Sequence, residues 1–261
     1  MRIHIVWAIA IAWIVSTPTA QAGDVSFRSS DGQRIAAVHN AVTDSTRAVI
    51  LVHGDGGSSS DWEFFANRLK RTGFHTLSID LRGHGASRAG SGRLSAEDYA
   101  AMKSDVLGAV AWMKAQGVDE VSLIGAGLGA NLCLQTAAED SDIARLVLLS
   151  PKHRAKGVTV DGFLAGYGER PLLIAVSVED TYASKTSLLL DTQALGQKHM
   201  EILSNAGSGT QMLDREPSLA STIQAFLNDI AGENEDLDLS LEVPQSTPER
   251  MTTEGEKLPG F

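Results

Sequence analysis

Cysteine is almost missing from this chain. Cys133 is the only one among 261 residues, so no intrachain disulfide can form in any compartment. Aromatic residues are scarce at 5%, and positive charge is short, with 22 Lys and Arg against 32 Asp and Glu. The formal net charge of −10 comes without a basic patch, so nucleic acid is not expected as a partner. The N-terminal apolar run, residues 5–15, is shorter than the roughly 20 residues that cross a bilayer, and no stable membrane anchor is expected. No cluster of Cys, His or carboxylates has metal-ligand spacing, and neither a metal nor a cofactor is expected.

What is present divides the chain into three parts. Residues 1–22 read as a secretory signal, with Arg2 as a short positive region, the apolar run, and Ala20-Gln21-Ala22 as an A-x-A cleavage site. Arg2 stands alone, which gives a twin-arginine route no support, and no cysteine adjoins the cleavage site to carry a lipid. A secreted or periplasmic location is the expectation. Residues 23–232 suit one α/β domain of about 200–250 residues. Residues 233–261 carry eight carboxylates against Arg250 and Lys257, with three prolines, and read as an acidic, solvated, disordered tail.

The body alternates strand and helix signals. Residues 25–30 and 33–41 flank Asp31-Gly32, a two-residue hairpin turn. Residues 48–54, Ala-Val-Ile-Leu-Val-His-Gly, form the apolar run of a strand covered on both faces. Asp61 is placed to cap a helix over 62–71. A strand over 76–80 precedes a long helix from Ser95, as N-cap with acids in its first turn, to about Gln116, where Gly117 ends it. Further strands are expected over 145–150, 171–178 and 200–204, with helices over 183–195 and 218–230. This succession implies a mainly parallel sheet with helices on both faces. The 20 residues from Pro151 to Arg170 are too few for a large cap, so any pocket should be open.

The most informative stretch is residues 121–131, Val-Ser-Leu-Ile-Gly-Ala-Gly-Leu-Gly-Ala-Asn. It reads as a strand, a sharp turn and a helix start, the frame of the G-x-S-x-G nucleophile elbow, with Gly127 where the serine belongs. The same letters fit the dinucleotide pattern G-x-G-x-x-G/A, and Lys152-His153-Arg154 about 20 residues on could meet a 2′-phosphate, so an NADP-type reading is the rival. Context favours the elbow. An apolar strand into His53-Gly54, then Asp80-Leu81-Arg82-Gly83-His84-Gly85, then Gly125-x-x-x-Gly129 together resemble the α/β-hydrolase family over roughly residues 33–230.

That resemblance implies a triad in the chain order nucleophile, acid, histidine. Gly127 occupies the first position. Asp180, with Glu179 beside it, follows the strand over 171–178 and keeps the acid. Ser208, in Asn205-Ala206-Gly207-Ser208-Gly209, stands in the histidine's place. Serine needs an adjacent base to become nucleophilic, and a hydroxyl cannot serve as that base near neutral pH. An oxyanion hole could persist through backbone N–H groups of Leu128 and of the Asp55 region. A small-ligand or ester-like site is therefore expected around His53, Gly54, Asp55, Leu128, Lys152 and Asp180. The alternative is an ester hydrolase using a relocated nucleophile or a directly activated water. His53, His84 and His153 follow strand ends and Ser58, Ser59, Ser60 and Ser87 are loop hydroxyls, whereas His199 belongs at the far end of the sheet. Asp80 reads as structural and Cys133 as a buried, inert thiol.

Overall fold

Long aliphatic runs with little side-chain charge can sit only where both faces are covered, and they build the centre of the molecule. The computed structural model describes residues 22–88 and 92–228. The segment read as a signal, apart from Ala22, and the segment read as an acidic tail lie outside the described residues.

Eight strands form one sheet: β1 (Ala22–Arg28), β2 (Arg34–Asn40), β3 (Arg47–Val52), β4 (His75–Ile79), β5 (Glu120–Ala126), β6 (Ile143–Leu149), β9 (Leu172–Ser177) and β10 (Lys198–Leu203). Their spatial order is β1-β2-β4-β3-β5-β6-β9-β10. β1 pairs with β2, and β2 with β4, antiparallel, and every later pairing is parallel. The expected hairpin and mainly parallel sheet are both present, but the hairpin's connection is the loop 29–33 between the paired Arg28 and Arg34 rather than a two-residue turn at Asp31-Gly32. The short β7 (Arg154–Ala155) and β8 (Val158–Thr159) pair with each other, outside that sheet.

Side-chain alternation divides the core between the two faces of the sheet. Ala48, Ile50 and Val52 of β3, with Leu146 and Leu148 of β6, pack on one side with α2 (Ala96–Ala115) and α3 (Leu128–Glu139). Val49, Leu51, Val147 and Leu149 point the other way, onto α1 (Glu63–Arg71) and α7 (Pro217–Asn228). Each such side chain, fully removed from water, contributes about 1.5–3 kcal/mol. The short α4 (Phe163–Tyr167), then α5 (Thr181–Gln193) and α6 (Gln211–Arg215), complete the helices described here. Among the described residues no helix is long and apolar enough to cross a membrane.

Capping follows the sequence at α2, where the Asp98 N–H donates to Ser95 Oγ at 3.2 Å and the Ser95 N–H to Asp98 Oδ2 at 2.8 Å. It departs from it at α1. Asp61 does not cap that helix; it lies in a 3-10 turn, Ser59–Trp62, whose cap is Ser58, and its Oδ2 accepts the Ser58 N–H at 3.2 Å. The extra turn moves the cap three residues upstream.

Candidate active-site cleft

At the C-terminal ends of β3, β5 and β6 lies an open cleft of about 580 Å³. Gly54, Asp55, Gly57 and Asp61 line one side, Ala126, Gly127 and Leu128 the floor, and Lys152 with residues 154–156 a wall. Tyr182 and residues 208–211 close the remainder. This is the edge where ligands of open α/β sheets bind, because loops from neighbouring strands diverge there.

Gly127 sits at the corner between β5 and α3 with φ 53° and ψ −110°, a conformation that strains any residue with a Cβ. Its neighbours in the motif are glycines for a different reason. A Cβ on Gly125 would lie 2.3 Å from Gly129 O, and one on Gly129 would lie 2.3 Å from Val52 O. A Cβ on Gly127 would meet nothing within 4 Å. The frame glycines let strand and helix touch, while the central one faces open space above the cleft floor. The sheet order also differs from a dinucleotide fold, in which the glycine pattern follows the first strand of a 3-2-1-4-5-6 sheet. Here those glycines serve the corner.

Asp180 and Ser208, expected at the acid and histidine positions, meet. Asp180 caps α5 through Oδ1, which accepts the Ala183 N–H at 3.1 Å, and its Oδ2 accepts the Ser208 hydroxyl at 2.7 Å. Gly209 then donates its N–H to Ser150 Oγ at 2.9 Å, and a Cβ on Gly209 would lie 3.3 Å from Ala126 Cβ. The turn carrying Ser208 therefore leans over the corner carrying Gly127. Glu179 is directed elsewhere: it takes the Ser177 hydroxyl and the Asn205 N–H, which hold its carboxyl below the usual range. Asp180 lies behind Ser208 and is not itself a lining residue of the cleft.

Of the residues expected to touch a ligand, Gly54, Asp55, Leu128 and Lys152 line the cleft. His53 does not. It is fully buried, its Nδ1 donates to Gly54 O at 2.7 Å, and its Nε2 accepts the Leu81 N–H at 3.1 Å. Burial pushes its pKa down, keeping it neutral. With both ring nitrogens engaged by backbone, the imidazole ties β3 to the end of β4 rather than facing the cleft.

The other candidates are likewise committed. His84 is buried, with Nε2 3.8 Å from Asp55 Oδ1, and exposed His153 pairs with Asp161 at 2.9 Å. His199, at the start of β10, pairs with Glu201 at 2.8 Å. Ser58 and Ser60 bond each other at 2.7 Å, and Ser87 Oγ accepts the Ala36 N–H at 2.8 Å. Asp80 is structural, as its carboxylate takes the Ser59 N–H at 2.6 Å and the Ala86 N–H at 2.8 Å. Cys133 is buried and its thiol pKa is pushed up by burial. Among the described residues, no histidine lines the cleft, and Tyr182, Ser208 and Thr210 supply its side-chain hydroxyls.

Sequence reasoning missed the β7–β8 hairpin. Its turn residues Lys156 and Gly157 both have positive φ, 51° and 92°, the signature of a two-residue hairpin turn usually built on Asn-Gly. Lys156 reaches across to Asp55 at 3.1 Å, and the Tyr99 hydroxyl donates to Asp55 at 3.0 Å. Burial pushes the Asp55 carboxyl up, but these two contacts outweigh it and hold the pKa below the usual range. Lys-Gly between residues 155 and 158 was the available signal.

Residues 47–207 match the family model described as alpha/beta hydrolase fold. An uncharacterized protein of Mycobacterium tuberculosis is 30% identical over 148 residues, 56% of this chain and 38% of that protein, so the match spans under two fifths of that relative's length. The 2-succinyl-6-hydroxy-2,4-cyclohexadiene-1-carboxylate synthase of Pectobacterium atrosepticum is 26% identical over 208 residues, 71% of this chain and 76% of that enzyme. Among solved structures, an esterase of Pyrococcus furiosus superposes with a TM-score of 0.67 at 17% identity, covering 84% of this chain and 94% of its own. A dienelactone hydrolase from Anabaena variabilis gives 0.57 at 19% identity, with 78% and 93% covered. At these identities the structural likeness shows the fold.

Proposed function

Because the chain belongs to the α/β-hydrolase fold family, we propose that it is an exported small-molecule-binding protein without serine-hydrolase catalysis. The hydrogen bond from Ser208 to Asp180 carries this reading. The acid's outward oxygen is held by a hydroxyl where an imidazole would accept and return a proton, and Gly127 presents no atom that could attack a carbonyl. In a serine protease, loss of nucleophile or base alone lowers turnover about a millionfold. Among the described residues, those lining the cleft include neither thiol nor imidazole. What remains is a cavity of ordinary ligand size, roughly 300–1,000 Å³, floored by backbone at a helix start.

Two measurements test the reading. A fluorophosphonate probe should leave the wild-type chain unlabelled, and p-nitrophenyl acetate should hydrolyse at the background rate. Stoichiometric labelling of a serine, or turnover above background, would overturn it in favour of a relocated nucleophile or an activated water. Restoration is the sharper test of the site. With Asp180 in place, the double variant Gly127→Ser, Ser208→His should acquire measurable esterase activity. A folded double variant with none would show that one of these positions is misassigned.

A further inference from the structure

The cleft wall has an imbalance of charge that the proposed binding role leaves open. Of its charged side chains, Lys156 is matched by Asp55 at 3.1 Å; His153, outside the lining, contacts Asp161 at 2.9 Å. Lys152 and Arg154 line the same wall, and among the described residues neither is engaged by a carboxylate. The acids near them are committed elsewhere: Asp180 lies behind Ser208, and Asp61, on the opposite side, accepts the Ser58 N–H. In a chain with a net charge of −10, two cations facing one cavity have no carboxylate within ion-pair distance among the described residues.

The backbone beneath them is held firmly. Asn131, fully buried on α3, accepts the Lys152 N–H at 3.1 Å and donates to Lys152 O at 2.7 Å and Val158 O at 2.9 Å. The Arg154 N–H donates to the Tyr182 hydroxyl at 3.1 Å, and the His153 N–H to Thr186 Oγ1 at 2.9 Å, both on α5. Gln135 Nε2 donates to Thr159 O at 2.7 Å. Lys152 and Arg154 thus stand on a wall clamped by two helices, so placing their side chains needs little reordering of the chain. Ala126, Gly127 and Leu128, which line the same cleft, carry no polar side chains.

We propose that the ligand of this cleft is a small organic carboxylate, its anionic group held by Lys152 and Arg154 and its apolar part lying on the Gly127 corner. A guanidinium fork matches a carboxylate with two parallel hydrogen bonds, and the ammonium adds a second charge. The proposal deepens the non-catalytic binding reading and rests on the same cleft.

Calorimetric titration with hexanoate and benzoate, and with the neutral hexanamide and benzamide, tests it. Each carboxylate should bind about tenfold or more tightly than its amide, an advantage that Lys152→Met, Arg154→Met should abolish and added salt should reduce. Lys103→Met, Lys114→Met, the same change of charge made on α2, should retain it. Amides binding as well as carboxylates, the cleft double variant binding carboxylates undiminished, inorganic phosphate binding as tightly, or no carboxylate binding at millimolar concentration would each overturn it. The two readings fail separately. Fluorophosphonate labelling would remove the non-catalytic role and leave the charge preference standing, whereas carboxylate binding independent of Lys152 and Arg154 would do the reverse.

Discussion

The two halves of this sheet handle buried polarity in opposite ways. Among the described residues, every buried histidine or carboxylate, namely His53, His75, Asp80, His84 and Asp105, comes before residue 106. After that point the buried polar side chains are Ser122, Asn131, Thr136, Ser150, Ser177, Thr186 and Ser187, none of which titrates in the physiological range. The first half includes a complete ionic network: Arg82 Nη2 reaches Asp105 at 2.6 Å and Nη1 reaches Asp31 at 2.8 Å. The second half carries the Gly127 corner and the Ser208 turn. Buried titratable groups frame the first half, while the Gly127 corner and the Ser208 turn themselves carry no titratable side chain. Buried charge resists piecemeal replacement, because removing one partner strands the other. A corner glycine facing open space has no such constraint.

The largest effect should come from breaking the first half. Arg82→Met leaves the fully buried Asp105 without its cation and should cost about 3–5 kcal/mol, read by denaturant unfolding. A cost near zero would mean that the network is incidental to the fold. Next come the glycines of the second half. Gly129→Ala drives a Cβ into Val52 O and should cost about 3 kcal/mol, because backbone cannot yield. Gly127→Ser adds a Cβ that meets nothing within 4 Å, and the strain of its φ should cost about 1 kcal/mol. Equal losses at the two sites would erase the distinction between frame and centre.

Acid should act through the first half. Burial, then the nearby His75 and Lys70 charges, lower the pKa of His39 to about 4 from the ordinary 6.5. The unfolded chain therefore takes up a proton there between those values that the folded chain refuses. Stability should rise with pH across that window and level off above it. Thermal melts of His39→Gln should show a shallower dependence than wild type, and an identical slope would remove His39 as the cause. The smallest effect belongs to Lys156→Ala, which keeps the turn and loses an exposed ion pair, and the same melts should show the smallest shift of the series.

Much of the architecture was legible in the residues. The parallel strands announced themselves as unbroken aliphatic runs, and Ser95 with Asp98 marked the start of α2, because these signals are local. The hairpin at Lys156 escaped because lysine rarely takes the left-handed conformation that its turn requires, and α6 because five residues are too few to show a period. Asp61 was misplaced by one turn for a related reason: the 3-10 segment before α1 has no pattern of its own.

The sequence by itself determined the fold family and the glycine corner, since each is a matter of residue type at a recognisable spacing. Only the tertiary structure decided which atoms meet. Glu179 and Asp180 are neighbours of nearly equal chemistry, yet Ser177 and Asn205 take the first while Ser208 takes the second. His53 adjoins the cleft in sequence, yet the Leu81 N–H, 28 residues on, turns its ring into the core. Side-chain direction at a strand end depends on donors and acceptors brought from other strands, and those are neighbours only once the chain has folded.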